Sequence, residues 1–261
     1  MTAPTIHATE IGTEGPRVVF LHGLFGQGRN FTQAAKALVP DLRSVLVDLP
    51  NHGRSAWTET TDYEVVADVV AEWLRTTYDG EPASHVVGHS MGGKVAMVLA
   101  LRHPDLVDRL VVSDISPARS EGAGEFEHLL DSLARLDLPA LELRSDADEQ
   151  LAPHISNAAV RGFLLQNLRS TDDGFAWQAN LDLLRSELAV IGGWPEIEAT
   201  FDHPVLWLAG EKSDYVRPEH EETMRSLFPR TRLATIKGAG HWIHSEQPDA
   251  FLSALRVFLL A

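Results

Sequence analysis

The residues best suited to do chemistry lie in residues 88–92 (GHSMG), which fit the pattern G-x-S-x-G around Ser90. A short apolar run at residues 85–87 precedes the pattern, and a helical pattern follows it. Between a strand and a helix, this pattern is typical of a sharp turn that exposes a nucleophilic serine. The helix N-terminus behind the turn presents free N–H groups to a developing oxyanion. We therefore predict that Ser90 is a nucleophile for acyl transfer.

The same segment also fits the start of a phosphate-binding loop. Residues 88–94 (GHSMGGK) match the first seven positions of G-x-x-x-x-G-K-[ST], but the eighth position, which must hold Mg²⁺ through a hydroxyl, is Val95. A plain structural turn is the third interpretation. The strand before the segment and the helix after it favour the nucleophile.

A serine hydroxyl needs a general base to become an effective nucleophile. In enzymes with this turn, the chain order is serine, then acid, then histidine. His241 meets that order, because it ends a glycine-containing loop, residues 238–241 (GAGH), after the last strand pattern. His244 is the competitor, but three residues further on it would begin to face away along the next turn. We predict that His241 is the base.

Two aspartates could orient the base. Asp214 follows the strand pattern of residues 205–208, which is the usual position, whereas Asp114 directly follows the strand pattern of residues 110–113. Either could instead be a loop carboxylate that caps a helix or a turn. The residues alone leave the acid open between Asp114 and Asp214.

The oxyanion of an acyl-transfer intermediate needs two backbone N–H groups. Met91 follows the nucleophile directly and supplies one. Residues 22–26 (HGLFG), after an early strand pattern, form the loop for the other, which we assign to Leu24. The histidine and first glycine of this loop are expected to shape it. Residues 48–55 (DLPNHGRS) predict a tight structural turn.

Strand and helix patterns alternate along the chain, which favours a mainly parallel sheet with helices on both faces. Apolar runs without alternation predict strands buried on both faces at residues 18–21, 45–47, 85–87, 110–113, 205–208 and 233–236. Helices are predicted to start after Asp62, which is a good N-cap, and to cover residues 90–102 and 248–260.

The alternation is interrupted once, from residue 119 to residue 200. This stretch has only helix-like segments, such as residues 125–136 and 181–191. We expect a helical cap, or lid, over residues 119–200, inserted between two late strands of a core formed by residues 1–118 and 201–261. Phe126, Leu129 and Trp177 are candidates to line the site, or to form the core of the cap itself.

Composition excludes several functional classes. The 261 residues carry 22 Lys and Arg against 37 Asp and Glu, so the net charge is −15 and argues against nucleic-acid or anionic-membrane binding. Cysteine is absent, which excludes disulfides and a thiolate nucleophile, and no histidine spacing typical of a metal site occurs. No apolar run is long enough for a membrane span, so the expected location is cytoplasmic. Nothing in the sequence favours one oligomeric state.

Taken together, these motifs make the chain similar to the α/β-hydrolases. More narrowly, it resembles the α/β-hydrolase-domain-containing protein 11 group and the bacterial YbfF-type esterases. The similarity extends from about residue 15 to the end, and is carried by residues 22–26, 48–55, 87–94 (VGHSMGGK), 114–117 (DISP), 148–151 (DEQL) and 238–244 (GAGHWIH).

The resemblance implies hydrolysis of acyl esters or acyl thioesters without a cofactor. It also bears on the acid, since that group commonly has a serine at the usual acid position, matching Ser213, while the strand-end aspartate, matching Asp114, takes the role. Asp214 beside Ser213 departs from that pattern. The resemblance therefore favours Asp114, with Ser213 as a second hydrogen-bond partner of His241.

We expect a serine carboxylesterase for small to medium acyl esters, working through an acyl-enzyme on Ser90. A carbon–carbon bond hydrolase and a cofactor-free perhydrolase would use the same residues, and a ligand receptor on this scaffold would turn over little. Turnover of p-nitrophenyl esters favours the esterase. Labelling by a fluorophosphonate without turnover of any ester favours the receptor.

Overall fold

The computed structural model describes residues 4–120 and 123–261. One sheet contains seven strands, which are His7–Ile11 (β1), Arg17–Leu21 (β2), Arg43–Asp48 (β3), Ser84–His89 (β4), Val107–Ser113 (β5), Val205–Gly210 (β8) and Thr231–Ile236 (β9). Their order is β1-β3-β2-β4-β5-β8-β9, in which β1 runs antiparallel to β3 and every other neighbouring pair is parallel. The mostly parallel sheet predicted from the alternating patterns is thus confirmed.

Helices cover both faces of the sheet. They are Thr32–Leu38 (α1), Tyr63–Thr77 (α2), Met91–Arg102 (α3), Glu221–Leu227 (α9), Ile243–Glu246 (α10) and Pro248–Leu259 (α11). Successive side chains of a strand point to opposite faces of the sheet. In β2, Val19 and Leu21 therefore pack in one cluster with α2 and α3, whereas Val18 and Phe20 pack in another with α1 and α11. This two-sided burial explains why the central strands read as continuous apolar runs.

The start of α2 follows from its sequence. The Asp62 carboxylate accepts hydrogen bonds from the N–H groups of Glu64 at 2.9 Å and Val65 at 3.2 Å, as an N-cap should. The apolar side chains of the helix then fall on one face, where Val66, Val70 and Leu74 are buried.

The two edges of the sheet differ from the sequence prediction. Strand β1 has a half-exposed, mostly polar pattern without a long apolar run and was not predicted. Strand β9 lies at the opposite edge, and Leu233 within it is 46% exposed, so the expected burial on both faces is wrong there. An edge strand has a neighbour on one side only, which leaves its outer side chains open to solvent.

Residues 119–200, called the insertion below, lie between β5 and β8. Their helices are Ala123–Leu133 (α4), Arg144–Leu151 (α5), Ala158–Leu165 (α6), Leu181–Ser186 (α7) and Leu188–Gly192 (α8), and their strands Leu168–Thr171 (β6) and Gly174–Trp177 (β7) pair in an antiparallel hairpin. The hairpin differs from the expectation of helix-like segments alone. Its strands are four residues long and mostly half or fully exposed, so no buried-strand pattern could reveal them.

The insertion is anchored to the core where its predicted helix over residues 181–191 is divided. Glu187 separates α7 from α8, and its carboxylate accepts hydrogen bonds from the Thr61 and Thr60 hydroxyls at 2.7 and 3.2 Å.

Across the described ranges, no helix is both long and apolar enough to cross a bilayer.

Candidate active site

Ser90 sits at the sharp turn between β4 and α3. Its φ of 52° and ψ of −122° place it in the left-handed half of conformational space, which costs a non-glycine residue on the order of 1–3 kcal/mol. A Cβ at Gly92 would lie 2.3 Å from the main-chain oxygen of Leu21, so only glycine allows α3 to approach β2 this closely. The Ser90 N–H donates to Ser113 O at 3.0 Å, which fixes the turn against β5.

The structure brings Ser90, His241 and Asp114 together. His241 Nε2 lies 3.0 Å from Ser90 Oγ, and His241 Nδ1 lies 2.8 Å from Asp114 Oδ2. With Nδ1–H donating to the carboxylate, Nε2 is left unprotonated to accept the hydroxyl proton. This arrangement is the geometry that activates a serine hydroxyl.

Asp114 is fully buried and rigidly held at the end of β5. Its φ is 53°, and its N–H donates to Leu208 O at 2.8 Å. Oδ1 accepts the Gly210 N–H at 2.8 Å, and Oδ2 accepts both the Ser213 hydroxyl and His241 Nδ1. Both oxygens of the carboxylate therefore accept hydrogen bonds that fix its orientation.

The other candidate residues, Asp214, Ser213 and His244, do not take the roles that the sequence offered them. Asp214 is exposed, and among the described residues it makes no hydrogen bond to His241. The expectation that Ser213 bonds His241 is wrong, because its hydroxyl donates to Asp114 instead. Ser213 points at the carboxylate since Asp114 lies deeper, at the strand end, than the turn that carries Ser213. His244 is also not bonded to Ser90; its ring packs 4.8 Å from the ring of His89.

The two predicted oxyanion donors lie beside Ser90. Within residues 4–120 and 123–261, the N–H groups of Leu24 and Met91 have no hydrogen-bond partner, so both can receive an anionic oxygen. A Cβ on Gly23 would lie 3.1 Å from Ser90 Cβ, which shows how closely the loop before Leu24 approaches the turn. Leu24, Met91 and Ser90 line one cleft.

His22, at the start of that loop, is an internal support. Its Nε2 accepts the Leu49 N–H at 2.9 Å, so Nδ1 carries the proton and donates to Gly23 O at 2.8 Å. Complete burial lowers the pKa of His22 to about 4. The ring is therefore neutral near pH 7 and shapes the loop, as the sequence predicts.

Two residues around His241 were not identified from the sequence as parts of the site. The ring of Tyr215 is stacked on the imidazole, with centroids 4.1 Å apart and an angle of 28° between the planes. The Nε2–H of His89 donates to the main-chain oxygen of His241 at 2.8 Å, and burial holds the pKa of His89 well below its usual value. No spacing rule links either residue to His241. Only the position of His89 inside the Ser90 motif could have drawn attention to it.

Two apolar clefts meet at Ser90, and Phe126 from the insertion lines both of them. Leu129 lines the first, together with His241 and Phe163, whereas Trp177 packs in β7 and lines neither. The second cleft is lined by Leu24, Tyr63, Met91, Lys94, Ile115, Ser120, Leu188, Ile191, Gly192 and Tyr215. The insertion therefore forms part of the wall around the nucleophile.

The phosphate-loop interpretation fails on Lys94. Its ammonium is buried and donates to Gly192 O at 2.9 Å and Gly193 O at 2.6 Å, so it ties α3 to the end of the insertion. Burial, with a smaller contribution from nearby Arg119, lowers its pKa to about 7. In the part of the chain that is described, no group of three or more His, Asp or Glu side chains is arranged to hold a metal ion.

Comparison with known proteins agrees with this geometry. The family described as alpha/beta hydrolase fold matches residues 16–248. The chain is an α/β-hydrolase. The resemblance drawn from its motifs is confirmed by two relatives. The mouse sn-1-specific diacylglycerol lipase ABHD11 is 39% identical over 94% of this chain and 81% of its own length. The esterase YbfF of Escherichia coli is 33% identical over 93% of this α/β-hydrolase and 92% of its own length.

A solved structure adds the same result in three dimensions. A marine microorganism esterase superposes on this α/β-hydrolase with a TM-score of 0.94 and 31% identity, covering 98% of this chain and 99% of that one. The protein is thus a hydrolase of the esterase and lipase type.

Proposed function

We propose that this α/β-hydrolase is a serine carboxylesterase that forms an acyl-enzyme on Ser90. The observation that carries the proposal is the chain of contacts from Asp114 through His241 to Ser90, at 2.8 and 3.0 Å. A hydroxyl, an imidazole and a buried carboxylate at these distances form a complete catalytic relay, in which the proton moves between serine and histidine while the carboxylate orients and stabilises the imidazole.

The relay supports the following sequence of steps. Ser90 Oγ attacks the ester carbonyl carbon while His241 Nε2 takes the hydroxyl proton, and the imidazolium that forms is stabilised by Asp114. The N–H groups of Leu24 and Met91 bind the oxyanion, each worth ~3 kcal/mol in the transition state. His241 then protonates the leaving alcohol. Water next attacks the acyl-enzyme while His241 takes a proton from it, and His241 returns that proton to Ser90 Oγ as the acid product leaves.

Asp114 is the acid in this proposal. It is tied to a buried strand end and accepts two further hydrogen bonds, from Gly210 and Ser213, which hold its carboxylate in one orientation. A carboxylate fixed in this way holds the imidazole in one tautomer more effectively than the exposed Asp214 could.

The substrate class follows from the walls around Ser90. Both clefts are mainly apolar, which suits the acyl chain of a small to medium ester on one side and its leaving group on the other. The same relay would accept acyl thioesters. We propose that residues 119–200 act as a lid over the core of residues 1–118 and 201–261, since Phe126 lines both clefts.

Replacement of Ser90 tests the proposal. Ser90→Ala should lower kcat for p-nitrophenyl esters by ~10⁴ or more while the fold is retained, because no other hydroxyl of the described residues lies at His241 Nε2. A fluorophosphonate should label the wild-type protein and not this variant. The matched control is Ser186→Ala, an exposed serine on α7, which should keep both activity and labelling.

Two results would contradict the proposal. Retention of a tenth of the activity in Ser90→Ala would remove the nucleophile assignment. Stoichiometric labelling of Ser90 without turnover of any ester or thioester in a chain-length panel would favour a ligand receptor on the same scaffold.

A further inference from the structure

The loop that carries the Leu24 N–H contains an unusual turn. The Gly26 N–H donates to Gly23 O at 2.9 Å, which closes a four-residue turn with Leu24 and Phe25 in its middle. Phe25 has a φ of 62°, a conformation that this turn position normally gives to glycine. The Phe25 side chain is 1% exposed, so the strained backbone places a large ring in the interior.

A strained conformation of this kind persists only where surrounding contacts hold it. The core supplies one, since the Phe25 N–H donates to His52 Nε2 at 3.3 Å. The insertion supplies two, because the Phe25 carbonyl accepts Asn167 Nδ2 at 2.7 Å and Gln166 Nε2 at 3.2 Å. The backbone of Phe25 is thus held at its N–H by the core and at its carbonyl by the insertion.

The Asn167 side chain is held in the orientation that lets it donate to the Phe25 carbonyl. Its side chain is fully buried, Nδ2 donates also to Leu164 O at 3.2 Å, and Oδ1 accepts Gln27 Nε2 at 3.1 Å. These contacts define the orientation of the amide. Gln166 extends the same junction, since its Oε1 accepts Asn30 Nδ2 at 2.9 Å.

We propose that Asn167 is a positioning residue for the oxyanion-binding loop. By holding the Phe25 carbonyl, it fixes the turn that aims the Leu24 N–H at the oxyanion formed when Ser90 attacks the ester carbonyl. The insertion therefore does more than cover the site, because part of the oxyanion-binding geometry depends on it. This inference rests on the proposed esterase function, in which Leu24 binds the oxyanion.

Two isosteric variants remove the donors to Phe25. Asn167→Asp replaces Nδ2 by an oxygen, and Gln166→Glu replaces Nε2 while its remaining oxygen can still accept from Asn30. Because a misplacement of about 1 Å can cost up to 10²-fold, we expect kcat to fall about 10- to 100-fold in Asn167→Asp. In Gln166→Glu, where the stronger donor remains, we expect a fall of about 3- to 10-fold. KM should stay within about twofold in both variants, because the loss is confined to the transition state.

A second measurement distinguishes a positioning role of Asn167 from a purely structural one. A trifluoromethyl ketone forms an oxyanion on the serine, so its affinity should fall by the same factor as kcat. Exchange of the Phe25 amide hydrogen should quicken as well, which reports on the loop without any turnover. The matched control is Asn157→Asp, which introduces the same change in the insertion at the N-cap of α6, where aspartate caps equally well. It should leave all three measurements unchanged.

The half-exposed Gln166 keeps the test decisive if Asn167→Asp does not fold. The inference would be overturned if kcat, ketone affinity and Phe25 exchange all kept their wild-type values in Gln166→Glu, and in Asn167→Asp when that variant folds. A rise of KM alone would do the same, because it would indicate a substrate contact. Both results leave the Ser90 mechanism intact, whereas full activity of Ser90→Ala would overturn both proposals.

Discussion

Asp114→Asn should abolish most of the esterase activity through a proton placed on the wrong nitrogen. In the native protein Oδ1 accepts the Gly210 N–H and Oδ2 accepts His241 Nδ1–H. An asparagine must keep its oxygen towards Gly210, because the opposite orientation sets two donors against each other in a fully buried position. Its NH₂ group then faces Nδ1 of His241.

The magnitude follows from the tautomer. With an amide donor at Nδ1, the neutral imidazole carries its proton on Nε2, which faces Ser90 and can no longer accept the hydroxyl proton. The corresponding change in a serine protease costs about 10⁴ in kcat, and we expect a loss of 10³- to 10⁴-fold here, or about 4 to 5.5 kcal/mol of transition-state stabilisation.

The assay is a steady-state comparison with a matched variant. Asp214→Asn makes the same chemical change one residue beyond Ser213, in an exposed side chain that does not bond His241, and should alter kcat by less than about threefold. Thermal unfolding of both variants shows whether the fold is retained. A larger loss in Asp214→Asn than in Asp114→Asn would refute the assignment of the acid, and comparable large losses would mean that both carboxylates act on His241.

Two further predictions concern the remaining aromatic and imidazole side chains of the site. Tyr215→Leu should lower kcat about 3- to 10-fold, because the stacked ring that stabilises the imidazolium of His241 is lost. Tyr215→Phe keeps the ring, so its kcat should stay near the wild-type value. Equal losses of kcat in both variants would contradict a stacking role. The free energy of unfolding should fall as the pH is lowered from about 6.5 towards 4, since burial lowers the pKa of His22 and His244 to about 4 and that of His52 to about 3. The unfolded chain therefore binds more protons in this range, which costs ~1.4 kcal/mol per pH unit for each histidine. Urea unfolding at pH 7, 6 and 5 measures the slope, and a flat profile would show that these rings are not buried in neutral form.

Features that depend only on neighbouring residues could be predicted from the amino-acid sequence. The strand–turn–helix context of Ser90 and the glycine two positions later predict the sharp turn, because backbone sterics there are local. Continuous apolar runs predict the central parallel strands, since burial on both faces leaves no room for polar alternation. The order of Ser90 and His241 along the chain followed from the same motif.

Contacts between side chains that are far apart along the chain could not be predicted in this way, because they depend on how the elements pack. Asp114 and Asp214 both follow strands, and the choice between them as the neighbour of His241 depends on how β5, β8 and the loop after β9 converge in space. The contact between Phe25 and Asn167 joins residues 142 positions apart, and it holds a strained turn that no local pattern predicts. Hydrogen bonds are short-ranged and directional, so which donor reaches which acceptor is fixed only once the insertion has packed against the core.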